Sequence, residues 1–348
     1  MTIDAKRILL VKMSSIGDVV QSLPVAAALR RRFPESYIGW IVGCAAADAV
    51  TANPHLSEVL IVGGSGENSS GIRNLPPLEA PWQLRRALRA VAADVTLDLQ
   101  GLFKSAFVAY LSGASERIGF RTLHEGTFLL NNRPIVQNRR DIHAVDSYLD
   151  FAEVMGAERK PVEFTIAISD NDREVVDGFF HGSSNHAALI PGARWESKLW
   201  PAERFAAVAD ALFEEYGCTS VIVGATGDRE LAQRIEAAAR ASTIDLTGRT
   251  TLKEIAVVFQ RCRVTIGNDT GPLYISAAMD TPTVALFGPS DARRLGPYGA
   301  GHAKVVADVN CAPCRNRRCH PLRCMESIEP QRVMAAVRSV LNSNGEDE

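Results

Sequence analysis

Residues 7–33, RILLVKMSSIGDVVQSLPVAAALRRRF, decide the fold. The apolar run Arg7–Lys12 reads as a buried strand, the small and polar residues Met13–Asp18 as a turn, and Val19–Phe33 as a helix. Strand, turn and helix in that order form the unit from which parallel sheets are built, because parallel neighbours need a crossover. Outward from this stretch the pattern repeats. Tyr37–Val42, Val59–Val62 and Val95–Leu99 read as further strands, and Trp82–Ala93 and Ala144–Met155 as helices. It then restarts: Ala187–Ile190, Thr219–Val223, Val264–Ile266 and Thr283–Phe287 are strand-like, and Ala202–Tyr216, Asp228–Arg240 and Leu252–Arg261 helix-like. The fold class is therefore α/β, with parallel sheets covered on both faces.

A chain of 348 residues exceeds one ordinary core and suits two domains of about 150 residues each. The polar, glycine-bearing stretch Ser169–His186 is the expected boundary. This gives an N-terminal domain over residues 1–170 and a second over 186–328, facing each other across a cleft at the carboxyl ends of their strands. Gly63–Pro81, rich in Gly, Ser, Asn and Pro, reads as a mobile loop, and Gln331–Leu341 as a last helix before the acidic end Gly345–Glu348. Hydrophobic residues at 46% and charged residues at 22% exclude general disorder. A net charge of −2 argues against a dedicated nucleic-acid binder. The first apolar run, Ile8–Val11, follows Asp4 and is too short for a secretory signal, and no stretch reaches the roughly 18 apolar residues of a membrane span. A cytoplasmic location is expected.

Four strand–turn–helix junctions carry residues suited to chemistry. In Met13–Asp18 the backbone can expose amide donors, and Asp18 falls at a helix start, where it is either a cap or a reactive carboxylate. No G-x-G-x-x-G follows the first strand, which weakens a dinucleotide-dependent oxidoreductase. Pro191–Pro201 carries Arg194 and Lys198, cations suited to a diphosphate if both face the cleft and otherwise solvated. Gly267–Pro272 is a small polar turn at a helix N-terminus, which favours an anion. In Val223–Asp228, Asp228 could accept hydrogen bonds from ribose hydroxyls, although a helix cap explains the spacing as well. The last three junctions belong to the second domain and point at one edge, as a nucleotide diphosphate requires.

Five motifs occur in order: K-M-S-S-I-G-D (Lys12–Asp18), D-L-Q-G-L-F-K-S-A (Asp98–Ala106), K-L-W-P (Lys198–Pro201), N-D-T-G-P (Asn268–Pro272) and L-F-G-P-S-D (Leu286–Asp291). The set resembles the lipopolysaccharide heptosyltransferases of glycosyltransferase family 9 over roughly residues 7–340. The first two motifs look more like heptosyltransferase I than heptosyltransferase II. The resemblance implies a GT-B-type fold of two Rossmann-like domains, with the helix of residues 329–343 packing back on the first. It implies ADP-L-glycero-β-D-manno-heptose as donor, the Kdo region of a lipid A precursor as acceptor, and inversion at the anomeric carbon. No cofactor is implied for that chemistry.

By motif position Asp18 takes the role of catalytic base and Lys198 that of diphosphate ligand. Asp228 takes the ribose, and Ala193, Arg194, Thr250, Asp269, Thr270 and Gly271 complete the donor side. Many relatives carry His where this chain has Tyr274, which can donate to a phosphate but brings no positive charge. Ser14, Ser15, Lys104, Arg117, Arg121 and His143 fall in segments that resemble the acceptor side. Arg85, Arg86 and Arg89 share a helix with Leu84, Leu88 and Val91. Such a helix can rest on the cytoplasmic face of an anionic inner membrane, or, more plainly, be a solvated helix held by its apolar stripe.

Cys311, Cys314, Cys319 and Cys324 form C-x₂-C-x₄-C-x₄-C around His320. The count suits a structural zinc, but the second pair is not C-x-x-C, so free or redox-active thiols are favoured. The competing functions are heptosyltransferase II or another family 9 transferase, and a non-catalytic nucleotide-sugar-binding protein.

Overall fold

The chain divides into two units, Met1–Ala167 and Ile168–Glu348, each built on its own parallel sheet. The computed structural model describes residues 5–65, 68, 70–121, 124–135, 142–180, 185–319 and 323–343.

The first unit contains β1 (Arg7–Val11), α1 (Ile16–Arg32), β2 (Tyr37–Gly43), β3 (Glu58–Val62), β4 (Ile72–Leu75), α2 (Pro81–Arg89), β5 (Val95–Asp98), α3 (Phe103–Ser112), β6 (Glu116–Phe120), β7 (Arg133–Ile135) and α4 (Ala144–Val154). The strands run in the order β4-β3-β2-β1-β5-β6-β7. In β1, Ile8 through Val11 are all fully buried, as both-face coverage demands. Leu84 and Leu88 of α2 and Val108 and Ala109 of α3 pack with Leu9, Val11, Ile41 and Leu60 on one face of the sheet. Helix α1 packs on α4. The direction of the crossovers reverses at β1, which pairs with β2 on one side and β5 on the other. The turns after β1 and β5 therefore flank the crevice where such sheets bind ligands.

The second unit contains α5 (Asp170–Phe180), β8 (His186–Ile190), α6 (Ala202–Tyr216), β9 (Thr219–Ile222), α7 (Arg229–Ala238), β10 (Thr243–Asp245), α8 (Leu252–Gln260), β11 (Cys262–Asn268), α9 (Gly271–Ala278), β12 (Thr283–Phe287), α10 (Ala292–Leu295), β13 (Ala303–Val306), α11 (Arg323–Glu326) and α12 (Pro330–Ser343). Its order is β10-β9-β8-β11-β12-β13, so the reversal falls between β8 and β11.

Three sequence expectations change. Gly63–Pro81 is not all loop: Ile72–Leu75 extends the sheet against the free edge of β3, with Leu75 buried. The boundary stretch holds α5, which packs on α8 through the second unit, with Val176 and Phe180 buried, so the division comes just before it. The last helix, expected on the first unit, instead buries Val333, Met334, Val337 and Val340 in the second unit's core against α6 and β12. Its apolar side matches the open face of that sheet, and a buried apolar stripe fixes a helix more strongly than its polar residues do. The expected tail Gly345–Glu348 lies outside the described residues, among which no helix is long and apolar enough to cross a membrane.

Candidate active site

In the first unit the site is built around Asp18. Helix α1 begins at Ile16, earlier than the sequence suggests, so Asp18 stands in its first turn with Ser15 as N-cap. Asp18 Oδ2 accepts the Ser15 amide at 3.1 Å and the Ser15 hydroxyl at 2.8 Å. That oxygen is a cap. The other oxygen, Oδ1, accepts the Tyr148 hydroxyl of α4 at 3.2 Å and lies 4.0 Å from the Lys12 ammonium. Lys12 is buried beneath it and donates to Tyr148 Oη at 2.8 Å, while the Asp18 side chain stays 39% exposed. The carboxylate is thus anchored from below and open above.

The charges respond to this packing. Burial works to raise the Asp18 pKa, but the Lys12 ammonium, the Ser15 hydroxyl and amide and the Tyr148 hydroxyl together outweigh it. They hold the carboxyl below the ordinary aspartate range. Burial pushes the Lys12 pKa down, against the pull of Asp18 and Asp98. Asp98, fully buried at the end of β5, is pushed up by burial, against hydrogen bonds from Ser105, Asn131 and the amides of Gly101 and Gln100. Gln100 completes the frame: its Oε1 accepts the amides of Met13 at 2.8 Å and Ser14 at 3.3 Å, tying the two switch-point turns together. Lys12, Asp98 and Gln100 lie within the quoted motifs, but their framing role, and Tyr148 altogether, escaped the sequence reading. Tyr148 is 130 residues from Asp18 and lies within a stretch that reads only as a helix.

The remaining acceptor-side residues differ in setting. Ser14 is half-buried and Ser15 exposed. Lys104 is exposed in the first turn of α3, and Arg121 is exposed just past β6. Arg117 faces inward: Nε donates to the Leu130 carbonyl at 2.8 Å, Nη1 to the Ala114 carbonyl at 2.7 Å, and the guanidinium lies over Tyr110. Its donors brace the β6–β7 connection. His143 is the N-cap of α4, its Nδ1 accepting the Val145 amide at 3.2 Å.

In the second unit the turns after β8 and β11, at the switch point, bring Lys198 and Asp269 together. Lys198 Nζ donates to Asp269 Oδ2 at 2.6 Å and lies 4.7 Å from the Trp195 ring centroid. Asp269 Oδ1 accepts the hydroxyl of buried Tyr274, so one carboxylate holds both groups. Asn268 fixes the turn, donating to the Pro191 carbonyl at 2.7 Å and accepting the Trp200 amide at 3.3 Å. Thr270 is the N-cap of α9 without a side-chain cap bond, Gly271 is the first helical residue and Pro272, which has no N–H, follows it, while the Leu273 amide donates to the Thr270 carbonyl at 3.2 Å; the Gly271 amide stands at the helix start. Ala193 is half-buried and Arg194 exposed in the turn after β8.

Asp228 Oδ2 accepts the Ala225 amide at 2.8 Å, which is the cap arrangement. Its carboxyl fills the space beside Gly192, where an added Cβ would come within 2.4 Å. Glycine is therefore what lets the turns after β8 and β9 close on each other. Thr250 Oγ1 is buried and has no hydrogen-bond partner among the described residues. A cavity of about 500 Å³ opens between α5 and edge strand β10, lined by Phe179, Leu246 and Arg249 among others, away from Lys198 and Asp269.

The cysteines divide between exposed Cys311 and Cys314, half-buried Cys319 and buried Cys324, whose thiol is pushed up by burial and by its neighbouring thiols. Among the described residues no three His, Cys, Asp or Glu side chains are grouped to hold a metal, and His320 is outside those residues.

Comparison with known proteins places this arrangement. The chain is 26% identical to lipopolysaccharide heptosyltransferase 1 of Pseudomonas aeruginosa, over 96% of this chain and 98% of that one. It is 25% identical to lipopolysaccharide heptosyltransferase 2 of Salmonella typhimurium, over 97% and 99%. Among solved structures it is similar to the E. coli ADP-heptose lipopolysaccharide heptosyltransferase II, with a TM-score of 0.79, 23% identity and coverage of 97% and 99%. That neighbour has the GT-B-type fold, as does this chain. Residues 81–324 match the description of glycosyltransferase family 9 (heptosyltransferase), and with that span the chain belongs to glycosyltransferase family 9 and is a glycosyltransferase.

Proposed function

We propose that the enzyme moves L-glycero-D-manno-heptose from ADP-heptose to the Kdo region of a lipid A precursor, with inversion, at the cytoplasmic face of the inner membrane. The observation that carries the reading is the ionised, half-open carboxylate of Asp18 at the switch point of its sheet; Lys198, held by Asp269 at the switch point of the other sheet, supports it.

In this reaction the acceptor hydroxyl oxygen attacks the anomeric carbon, the bond from that carbon to the diphosphate oxygen breaks, and ADP leaves with the bonding electrons. Asp18 takes the hydroxyl proton as general base. Lys198 and the amides at Thr270–Gly271 stabilise the charge on the departing diphosphate. Asp269 and Tyr274 orient Lys198, and Arg194 and the Ala193 turn border the phosphates. Asp228 accepts from a ribose hydroxyl with the oxygen its cap leaves over, and Thr250 gains a partner for its buried hydroxyl when the nucleoside binds. Ser14, Ser15, Lys104, Arg121 and His143 meet the anionic acceptor. The chemistry calls for no cofactor.

Tyr274 in place of a cationic residue, and relatives divided between heptosyltransferases 1 and 2, favour a second reading: a family 9 transferase with another sugar or acceptor. A turnover assay with ADP-, UDP- and GDP-sugars and a Kdo-lipid A acceptor separates the two. Transfer from ADP-heptose alone is expected; transfer from another donor supports the second reading, and no transfer from any sugar overturns the first and leaves the second only with an acceptor other than Kdo-lipid A.

A further inference from the structure

After β13 the chain runs back along the carboxyl ends of the second sheet. The Ala307 amide donates to the Phe287 carbonyl at the end of β12, and the Arg315 amide to the Pro289 carbonyl in the turn that follows, both at 2.8 Å. One residue on, the Asn316 carbonyl accepts the Ser197 hydroxyl at 2.7 Å. Ser197 belongs to the turn after β8, and β11 lies between β8 and β12 in the sheet. Residues 307–319 therefore form a strap that reaches from the sheet edge across to the β8/β11 switch point, and Ser197, bonded to it, is fully buried.

The strap brings a charge with it. The Arg317 guanidinium lies over the Trp195 ring, 4.7 Å from its centroid, and the Lys198 ammonium stands at the same distance from the same ring. The two cations are thus less than two such distances apart. Lys198 shares its charge with Asp269 at 2.6 Å, so that pair carries no net charge, and Tyr274 adds none. Glu196, the next residue after Trp195, is exposed. Arg317 is exposed as well and makes no ion pair among the described residues. A diphosphate carries several negative charges at neutral pH, which a neutral Lys198–Asp269 pair leaves uncompensated. A guanidinium supplies the missing charge, and its planar fork matches phosphate oxygens.

We propose that Arg317 is a second diphosphate-binding cation: the strap holds it on Trp195 beside Lys198, and its fork takes phosphate oxygens of the bound nucleotide. The inference deepens the function proposed above and rests on its reading of Lys198 as a diphosphate ligand, not on the sugar or the acceptor. Arg317 stands in the run Arg315-Asn316-Arg317-Arg318, all of it exposed. Nothing in that run marks which arginine meets a turn whose Ser197 is 119 residues from Asn316 in the chain.

The test is calorimetric titration of the full chain with ADP, UDP, inorganic pyrophosphate and adenosine, without sugar or acceptor. Arg317→Gln should bind the nucleoside diphosphate and pyrophosphate about tenfold or more weaker and leave adenosine unchanged, and Arg317→Lys should recover part of the loss. Arg318→Gln, which removes the neighbouring charge, should match wild type. Wild-type diphosphate affinity in Arg317→Gln overturns the proposal, as does an equal loss in Arg318→Gln, which would make the effect a diffuse field. So does an equal loss for adenosine, since Arg317 would then brace the turn without touching phosphate, and so does a wild-type chain that binds neither ADP nor UDP. Binding of UDP in place of ADP overturns the donor proposed above and leaves Arg317 at the phosphates. A chain that shows these differences and transfers no sugar to any acceptor overturns the proposed reaction and likewise leaves Arg317 in place.

Discussion

Asp18 divides its two oxygens between two tasks. Oδ2 closes the start of α1 through Ser15, and Oδ1 faces Tyr148 and Lys12. Asp18→Asn keeps the size and the cap but loses the base, so kcat should fall by about 10²–10⁴ while ADP affinity holds; steady-state kinetics beside ADP titration checks this. Because the folded pKa of Asp18 lies below the ordinary 3.8, the base is ionised at neutral pH and its contribution to stability is present above that value. Both are lost only as the pH falls through the lowered folded pKa. Lys12→Met removes the main opposition to burial, so the acid limb of the kcat/KM profile should move to higher pH; an unmoved limb would show that Lys12 does not set it. On the proposed donor side, Lys198→Ala strands Asp269 beside Tyr274 and removes the cation proposed to meet the diphosphate. Donor KM should rise and kcat fall together, each about tenfold or more, and a kcat unchanged at saturating donor would confine Lys198 to binding.

At the scale of elements, the sequence showed the turns but not what holds them. The β8 and β9 turns were read as separate loops, whereas they interlock through the Asp228 carboxyl beside Gly192. Gly192→Ala puts a methyl where that carboxyl stands. The cap must break, which should lower stability by about 0.5–2 kcal/mol, read as a shift in the urea midpoint, and weaken ADP binding as well. Strand β4 was hidden for a different reason. Its four residues, IRNL, carry one buried side chain and lie among glycines and prolines, so pairing with the open edge of β3, rather than propensity, makes the strand. Arg117 shows the same limit in a side chain: its charge does not announce that Nε and Nη1 donate to the carbonyls of Leu130 and Ala114.

For the whole molecule, the second unit depends on its C-terminal helix. Met334 is 3% exposed within a core that also takes Trp200, Phe205 and Val284. Met334→Ala should destabilise the second unit by about 2–5 kcal/mol, measured as a lower urea midpoint for the transition that bound ADP protects. A transition unchanged by the substitution would mean that α12 is dispensable to that core.

The sequence by itself determined the α/β class, the doubling into two parallel sheets and the strand-end turns that carry Asp18, Lys198 and Asp269. Those signals are local, since hydrophobic period and turn chemistry act within a few residues. The tertiary structure alone decided that Tyr148 and Lys12 grip Asp18, that Arg117 reaches the carbonyls of Ala114 and Leu130 and that α12 belongs to the second core. Each of these depends on which groups far apart in the chain share a dry neighbourhood, and burial, unlike periodicity, exists only once the chain has closed on itself.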